Sequence, residues 1–384
     1  MTLNRSASIT GIAETKVGKV PERTVTELYA DAVVAAVADA GLTLEDVDGL
    51  ISGNARFEPY LYHADMLAEY LNIQPAHALN VTTGGSTTGQ TLAHAAMLVA
   101  TGQCRNVVVV MADKLATGVD RSAVVESMST IGHPRFEAPY GPMVPALYAL
   151  FAQRYQWQYG IDPAHVAEVA VVDRYHASLG ETAQYREPLT ADDVLSSRLI
   201  ADPVHLLECS PVSDAGAAVV VSAPEAQGPH RPVLLLGLGE ARSFEHVSSA
   251  PVLHETVAGE SSRIAFEMAG LTHDDVDVAM IYDAFAFIMC MQLEDIGFCE
   301  KGAGGEFVAA GHTRLGGTLP TNTHGGVLSH SHAGRPSSLF LVTEAVQQLR
   351  GTCGARQVER AEVALVHMEG GIIASHCTAL LGVG

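Results

Sequence analysis

Cysteine is scarce in this chain: there are six in 384 residues, and none before Cys104. Cys104, Cys209, Cys290, Cys299, Cys353 and Cys377 form no C-x-x-C pair, which excludes a zinc ribbon within this chain and a disulfide framework. An apolar-flanked thiol such as Cys290 reads as a buried structural residue. Charge is sparse as well, and one sign is short, with 22 basic side chains against 43 acidic ones. The net charge of -21 leaves no basic footprint for nucleic acid. No uninterrupted apolar run reaches the roughly 18 residues of a membrane-spanning helix. The opening M-T-L-N-R-S-A-S-I-T lacks the apolar stretch of a secretory signal. With unpaired cysteines, this sets the expectation of a reducing, cytoplasmic location. Nucleotide loops are missing too. G-L-G-E at 237 to 240 lacks the full G-x-G-x-x-G spacing, and G-A-G-G at 302 to 305 has no P-loop lysine. His133, His165, His176, His205, His246 and His254 show no regular ligand spacing, so no metal is expected.

What is present is glycine, at 36 residues, and enough apolar sequence for two ordinary α/β domains. Residues 25 to 40, V-T-E-L-Y-A-D-A-V-V-A-A-V-A-D-A, have helical periodicity, and Gly41 is placed to end that helix. Thr43 and Asp46 then read as a capping box, and an apolar strand follows. The frame A-G-L-T-x-x-D-V-D at 40 to 48 returns at 269 to 277, again after a helix and again before a strand. T-T-G-G at 82 to 85 is echoed by N-T-H-G-G at 322 to 326. Helices at 89 to 101 and 336 to 350 follow these glycines, and strand-like runs at 106 to 111 and 362 to 368 follow the helices. Four elements in one order imply duplication. Two like α/β halves, 1 to 228 and 229 to 384, would share a centre where sites commonly lie. Residues at about 112 to 210 fit neither half and read as a largely helical insertion over the pocket. The strand at 214 to 222 closes the first half, and A-P-E-A-Q-G-P-H-R-P is a linker.

The stretch V-T-T-G-G-S-T-T-G-Q at 81 to 90 has the form of a turn that presents a helix N-terminus to an anion or carbonyl. It holds no cysteine, lysine or histidine.

Taken in order, I-T-G-I-A-E-T at 9 to 15, S-D-A-G-A-A-V-V at 213 to 220, Y-D-A-F at 282 to 285, L-P-T-N-T-H-G-G at 319 to 326 and G-T-C-G-A-R-Q-V at 351 to 358 resemble the thiolase superfamily. The likeness is to the group similar to the thiolase domain of sterol carrier protein 2, and it spans essentially the whole chain. It implies a five-layer αβαβα fold built from two duplicated α/β halves. It also implies acyl-CoA chemistry, with coenzyme A as part of the substrate and no covalently bound cofactor, and a homodimer. One branch of the family works with a small zinc-ribbon and OB-fold partner.

The family's nucleophilic cysteine falls at Gly85, counted back from Gly102, with Ser86 beside it; here no thiol stands there. A serine would need an adjacent base. The polar family position before D-x-F is Tyr282. The family's oxyanion histidine aligns with His332, with His330 as a close competitor. The second family cysteine, an acid/base before a pair of glycines, is matched to His367 in V-H-M-E-G-G, which ends in Gly370 and Gly371. Asp283 is expected to brace its loop. Asn322 is expected to fix the turn before Gly325 and Gly326, and His324 is a pocket residue without an assigned task. This set suits acid/base work on a bound thioester. Tyr282 or His367 would take the proton of a β-hydroxyl, and His332 would donate to the resulting enolate. A retro-aldol lyase acting on a β-hydroxyacyl-CoA, with a bulky or sterol-like side chain, is therefore the first expectation. An acetyl-CoA acetyltransferase type of enzyme that needs a partner subunit, and a noncatalytic acyl-CoA or lipid-binding scaffold, are the alternatives.

Overall fold

A computed structural model describes residues 3–58 and 60–383. The strands are β1 Ser8–Glu14, β2 Gly49–Ser52, β3 His77–Asn80, β4 Asn106–Lys114, β5 Leu199–Ala201, β6 Val204–His205, β7 Asp214–Ser222, β8 Val233–Arg242, β9 Val278–Ile281, β10 Val363–Gly370 and β11 Ser375–Val383. The helices are α1 Val25–Asp39, α2 His63–Leu71, α3 Thr87–Ala100, α4 Arg121–Ser129, α5 Val144–Tyr159, α6 Pro163–Ser178, α7 Ala191–Ser196, α8 Ala258–Ala269, α9 Ala286–Ile296, α10 Gly304–Ala309 and α11 Ser337–Arg350.

The nine-residue frame does the same work twice. Thr24 and Glu27 form a capping box that starts α1. Gly41, at φ +72°, ends that helix, and Gly270, at φ +68°, ends α8. Thr43 with Asp46, and Thr272 with Asp275, then cap one tight turn in each half. The last aspartate of each frame reaches the strand that will lie beside its own. Asp48 accepts the N–H groups of Arg105 and Asn106, and Asp277 accepts those of Glu362 and Val363. Each frame therefore stops a helix, turns the chain and anchors the start of β4 or β10.

The sheet order is β3-β2-β4-β7-β1-β8-β11-β10-β9. It reads as one half followed by its mirror. β2 lies parallel to β4 as β9 lies parallel to β10, and β7 and β11 run antiparallel to those neighbours. Where the second half needs its counterpart of β3, Thr321 bridges Ala279 in parallel. The halves join through β1 and β8, which pair Ser8 with Leu234 and Ile9 with Val233. α3 and α11 pack between the two half-sheets, α1 covers the outside of the first, and α8 covers the outside of the second. These are the five layers αβαβα. Helix α3 belongs to the central layer. Along β4, Val107, Val109 and Met111 face the central core, while Val108, Val110 and Ala112 face α1. A strand covered on both faces is expected to read as a continuous apolar run, as N-V-V-V-V-M does.

Helices α4 to α7 and the small β5–β6 hairpin lie between β4 and β7. From α5, Tyr148, Phe151 and Tyr155 point into the core, whereas Trp157 is exposed. Phe136, Tyr140, Tyr175 and Tyr185 of the insertion are exposed as well, and Tyr148 reaches the far half.

Candidate active site

Helices α3 and α11 bring their N-termini together at the centre of the molecule: Ser338 at the start of α11 donates to the carbonyl of Gly85, just before α3, at 2.6 Å. Free N–H groups and the helix dipoles make such ends electropositive. Two glycine turns interlock at this point. A Cβ on Gly84 would lie 2.7 Å from Gly371 N, and one on Gly370 would lie 2.7 Å from Ser86 Oγ. A Cβ on Gly85 would lie 3.2 Å from two ring carbons of Tyr282 and far inside contact distance of the Glu369 carbonyl oxygen. Gly84, Gly85 and Gly370 are thus required by close approach of two backbones and one ring, and Gly371 by its φ of +76°.

Tyr282 follows directly on β9, where its N–H bonds to His367 O at 3.0 Å, extending the β9–β10 alignment by one residue. Its ring is buried, and its hydroxyl meets His332 Nε2 at 3.0 Å. His332 is half-buried and tied to the strand end before β7, since Ser213 Oγ accepts its N–H and the Ser213 N–H bonds to its carbonyl, both at 3.0 Å. Burial, aided by the Arg56 guanidinium and only partly offset by the residue's own carbonyl, pushes His332 down to about 4. Burial, then the charges of Glu369 and Asp283, push the Tyr282 phenol far above its usual range. Near neutral pH both groups are therefore uncharged. With His332 neutral, a proton on Nδ1 leaves Nε2 to accept, and the protonated Tyr282 hydroxyl is then its donor. Ser337 Oγ is buried without a well-formed hydrogen bond and stands beside the Tyr282 phenol, whose anion it favours.

The other expected residues divide by what they touch. Ser86 donates to Thr83 O at 2.8 Å and pairs with Ser375 Oγ at 2.7 Å, with no imidazole on it. Asp283 accepts the N–H groups of Val327 and Leu328 and braces the 326–330 turn, as its sequence context implied. Asn322 closes the turn before Gly325, its carbonyl accepting the Gly325 N–H at 2.8 Å, and its side chain grips β9, accepting from Ile281 N at 2.8 Å and donating to Ile281 O at 2.9 Å, rather than facing the pocket. Gly325 packs on Ala177 of α6, and Gly326 lies over the Asp283 carboxylate, so both shape this bracing rather than face Tyr282. His324 and His330 also lie elsewhere. Their rings are 4.7 Å apart, His330 Nε2 points to Glu14 at 3.4 Å, and both line a separate cavity of about 200 Å³ with Glu344, Cys353 and Arg356. Of the two competing histidines, His332 is the one at Tyr282.

His367 also departs from expectation. It bonds to Thr378 Oγ1 and to His376 Nδ1, each at 2.9 Å, and Thr378 in turn meets Ser261 of α8. Its side chain thus faces the outer helix layer, away from α3. Burial and His376 hold it neutral. The alternation of the strand gives the reason: Met368, one residue on, is the side chain that reaches α3 at Gly89.

Two groups beside the site carried no motif. Glu369 is buried, accepts Tyr148 OH at 2.9 and 3.0 Å and Ile373 N–H at 2.8 Å, and is pushed up by burial to about 7. Tyr148 packs on Phe285, ring centroids 4.5 Å apart. A carboxylate in an apolar strand end was the available signal for Glu369; Tyr148 had none. Cys377 lies behind α3, with its thiol on Ser86 O at 3.6 Å, and burial drives its pKa far up.

Residues 239–383 match the family model for the thiolase C-terminal domain-like region. The chain is 30 % identical over 379 residues to the acetyl-CoA acetyltransferase of Methanothermobacter thermautotrophicus, covering 96 % of this chain and 97 % of the relative. It is 34 % identical over 366 residues to the 17-hydroxy-3-oxo-4-pregnene-20-carboxyl-CoA lyase of Mycobacterium tuberculosis, covering 91 % and 93 %. The solved structure of an Ltp2-ChsH2(DUF35) aldolase superposes with a TM-score of 0.88 at 32 % identity, over 99 % of this chain and 98 % of that one. The mirrored halves, the interlocked turns and these relatives lead to one assignment: the chain belongs to the thiolase superfamily, in the branch that holds the sterol-carrier-protein-2-like thiolases and the thiolase-like aldolases.

Proposed function

We propose that the protein is a carbon–carbon lyase that cleaves a β-hydroxyacyl-CoA by a retro-aldol reaction. The observation that carries this reading is the Tyr282–His332 pair, 3.0 Å apart at the meeting N-termini of α3 and α11, where Gly85 and Ser86 replace a thiol. A phenol on a neutral imidazole moves protons; it does not carry acyl groups. Tyr282 takes the proton of the β-hydroxyl as its own passes to His332 Nε2. The Cα–Cβ bond breaks, the β-carbon leaves as a carbonyl compound, and the electron pair forms the thioester enolate. Charge on the enolate oxygen develops toward the two helix N-termini and the unpartnered Ser337 hydroxyl, donors that need no reorganisation. An acid then returns a proton to Cα, and acyl-CoA is released.

Tyr282 and His332 are the catalytic residues of this reading, and His367 has no part in it. Gly85, Ser86, Gly370 and Gly371 shape the pocket, at the meeting of halves 1 to 228 and 229 to 384. The kinship with a pregnene-carboxyl-CoA lyase supports a bulky, sterol-like side chain on the substrate. The likeness to a two-component aldolase supports a small zinc-ribbon and OB-fold partner, and family membership supports a homodimer. We place the enzyme in the cytoplasm; among the described residues no helix is long and apolar enough to cross a membrane.

An acyltransferase is the second reading, favoured by the acetyl-CoA acetyltransferase relative. It needs a nucleophile, and the thiol behind α3, Cys377, is buried and held protonated. The test is mass spectrometry of CoA products after incubation with matched β-hydroxyacyl-CoA and β-ketoacyl-CoA panels, alone and with co-purifying protein. Cleavage of a hydroxyacyl substrate without added CoA is expected. CoA-dependent cleavage of ketoacyl substrates alone would replace the lyase with a transferase.

A further inference from the structure

The retro-aldol reading leaves one step without a residue, the return of a proton to Cα. His332, now an imidazolium, holds its new proton on Nε2 against the Tyr282 hydroxyl, so that proton returns only by way of Tyr282. A separate acid on the other side of the thioester would give Cα a direct donor. The Glu369–Gly371 turn is the opposite wall of the site. Its backbone interlocks with the Gly84–Ser86 turn, and the point where a Gly85 Cβ would stand touches both the Glu369 carbonyl and the Tyr282 ring. The Tyr148 hydroxyl is held on this turn by three contacts: both oxygens of Glu369 and Gly371 O at 3.2 Å. It arrives from α5, inside the inserted segment, with Phe285 packed on its ring.

Building on the lyase reading, we propose that Tyr148 and Glu369 form the proton-return pair, Tyr148 delivering the proton to Cα of the enolate and Glu369 replacing it. When Glu369 is a carboxylate, the Tyr148 hydroxyl points at it. When Glu369 carries a proton, it donates that proton to Tyr148 oxygen and frees the phenolic hydrogen to turn toward the substrate. The enolate carbon gains the Tyr148 proton, Tyr148 gains the Glu369 proton, and Glu369 is left as a carboxylate. His332 then releases the substrate's proton and Glu369 takes one up, so atoms and charge balance without any co-reactant. Glu369 acts through Tyr148 and is a positioning residue.

The groups around Glu369 suit this exchange. Tyr148 faces it from α5, and Tyr282 stands beyond the end of β9. His376 is its cross-strand partner on β11 and is bonded to His367, with both imidazoles kept neutral by burial. A carboxyl group buried among neutral partners titrates near neutrality, at about 7, where it can hold and release a proton during turnover.

The experiment follows the partial reaction that this pair alone would run backwards. An acid that protonates Cα must, in reverse, exchange the Cα hydrogens of an acyl-CoA. Acetyl-CoA and propionyl-CoA are incubated with the full-length enzyme in deuterium oxide, and deuterium at Cα is read by mass spectrometry. The wild type is expected to exchange, with a rate rising through about pH 7 as the carboxylate form accumulates. Glu369→Gln and Tyr148→Phe are expected to lower exchange by roughly 10²-fold and to lose the pH dependence, while melting temperature and acyl-CoA affinity stay near wild type. Glu369→Asp is expected to recover part of the rate with a shifted pH dependence. Exchange with an unchanged pH profile in Glu369→Gln would overturn the proposal, as would a wild type that cleaves β-hydroxyacyl-CoA yet exchanges nothing. A wild type that exchanges but cleaves no hydroxyacyl substrate would sink the lyase reading while leaving the pair in place.

Discussion

Gly85→Ala tests whether the interlocked turns hold the Tyr282–His332 pair. Gly85 has an ordinary backbone conformation, so alanine there carries no conformational strain. All of the cost is contact. The new methyl would sit under 3.0 Å from the Glu369 carbonyl oxygen and 3.2 Å from Cε2 and Cζ of Tyr282. The carbonyl cannot yield easily, because Glu369 is in register with His376 in the β10–β11 ladder. The ring must therefore move, or the two turns must separate. Overpacking of this kind costs about 1–3 kcal/mol. A displacement of the phenol by about 1 Å would stretch the hydroxyl–imidazole contact beyond hydrogen-bonding range, and misplacement on that scale costs roughly 10²-fold in rate.

The control is Gly102→Ala. Gly102 has φ +70° with nothing within 4 Å of its would-be Cβ, so its cost is conformational. It is expected to destabilise by about 1 kcal/mol and to leave turnover untouched. Thermal melts and steady-state kinetics on β-hydroxyacyl-CoA separate the two cases. If Gly85→Ala melts and turns over like wild type, the close approach does not position Tyr282 and the account of the turn is wrong.

Three further outcomes follow from the same geometry. Tyr282→Phe is expected to lower kcat by roughly 10²–10⁴-fold with acyl-CoA binding intact by calorimetry; normal turnover would remove Tyr282 from the chemistry. His332→Gln is expected to cost kcat about 10²-fold, whereas His330→Gln, which loses contacts with Glu14, Ser331, His324 and Phe340 but none with Tyr282, is expected to lower the melting temperature and leave kcat within about threefold; the reverse order would reinstate His330 as the site histidine. Burial holds His176 down to about 4, against an ordinary value of 6.5 in the unfolded chain. The unfolded chain thus takes up this proton first, and stability falls as pH drops through that window, by at most about 3 kcal/mol. His176→Gln should flatten this part of the stability curve in urea titrations between about pH 7 and pH 4.5, and an unchanged slope would refute the assignment.

The frame A-G-L-T-x-x-D-V-D was legible because each of its residues acts locally. Glycine ends the helix, the Thr–Asp box caps the turn, and the final aspartate ties down the next strand, twice over. The paired elements around it could be ordered for the same reason, and duplication then implied the layers. The pairing of β1 with β8, by contrast, rests on residues some 225 positions apart with no polar signature, and sequence periodicity does not report it.

The site was readable to the extent that its residues lie at element ends. Tyr282 follows a four-residue strand and His332 a glycine-rich turn, so motif spacing located both. His367 was misplaced by treating V-H-M-E-G-G as a linear signature. Within a strand, one residue of offset reverses the face, and this segment is paired through Gly370. Applying the two-residue period back from Gly370 puts Met368 toward α3 and sends His367 and Glu369 to the other side. Glu369 nonetheless comes to border the site, because β10 ends at the next residue and the turn after it bends back over Gly84. Tyr148 completes that border from a helix more than two hundred residues away in sequence, in the segment with no counterpart in the second half. Where the inserted helices lie decides which groups stand over the interlocked glycines. The chemistry that a duplicated scaffold leaves open is therefore set by the part of the chain that is not duplicated.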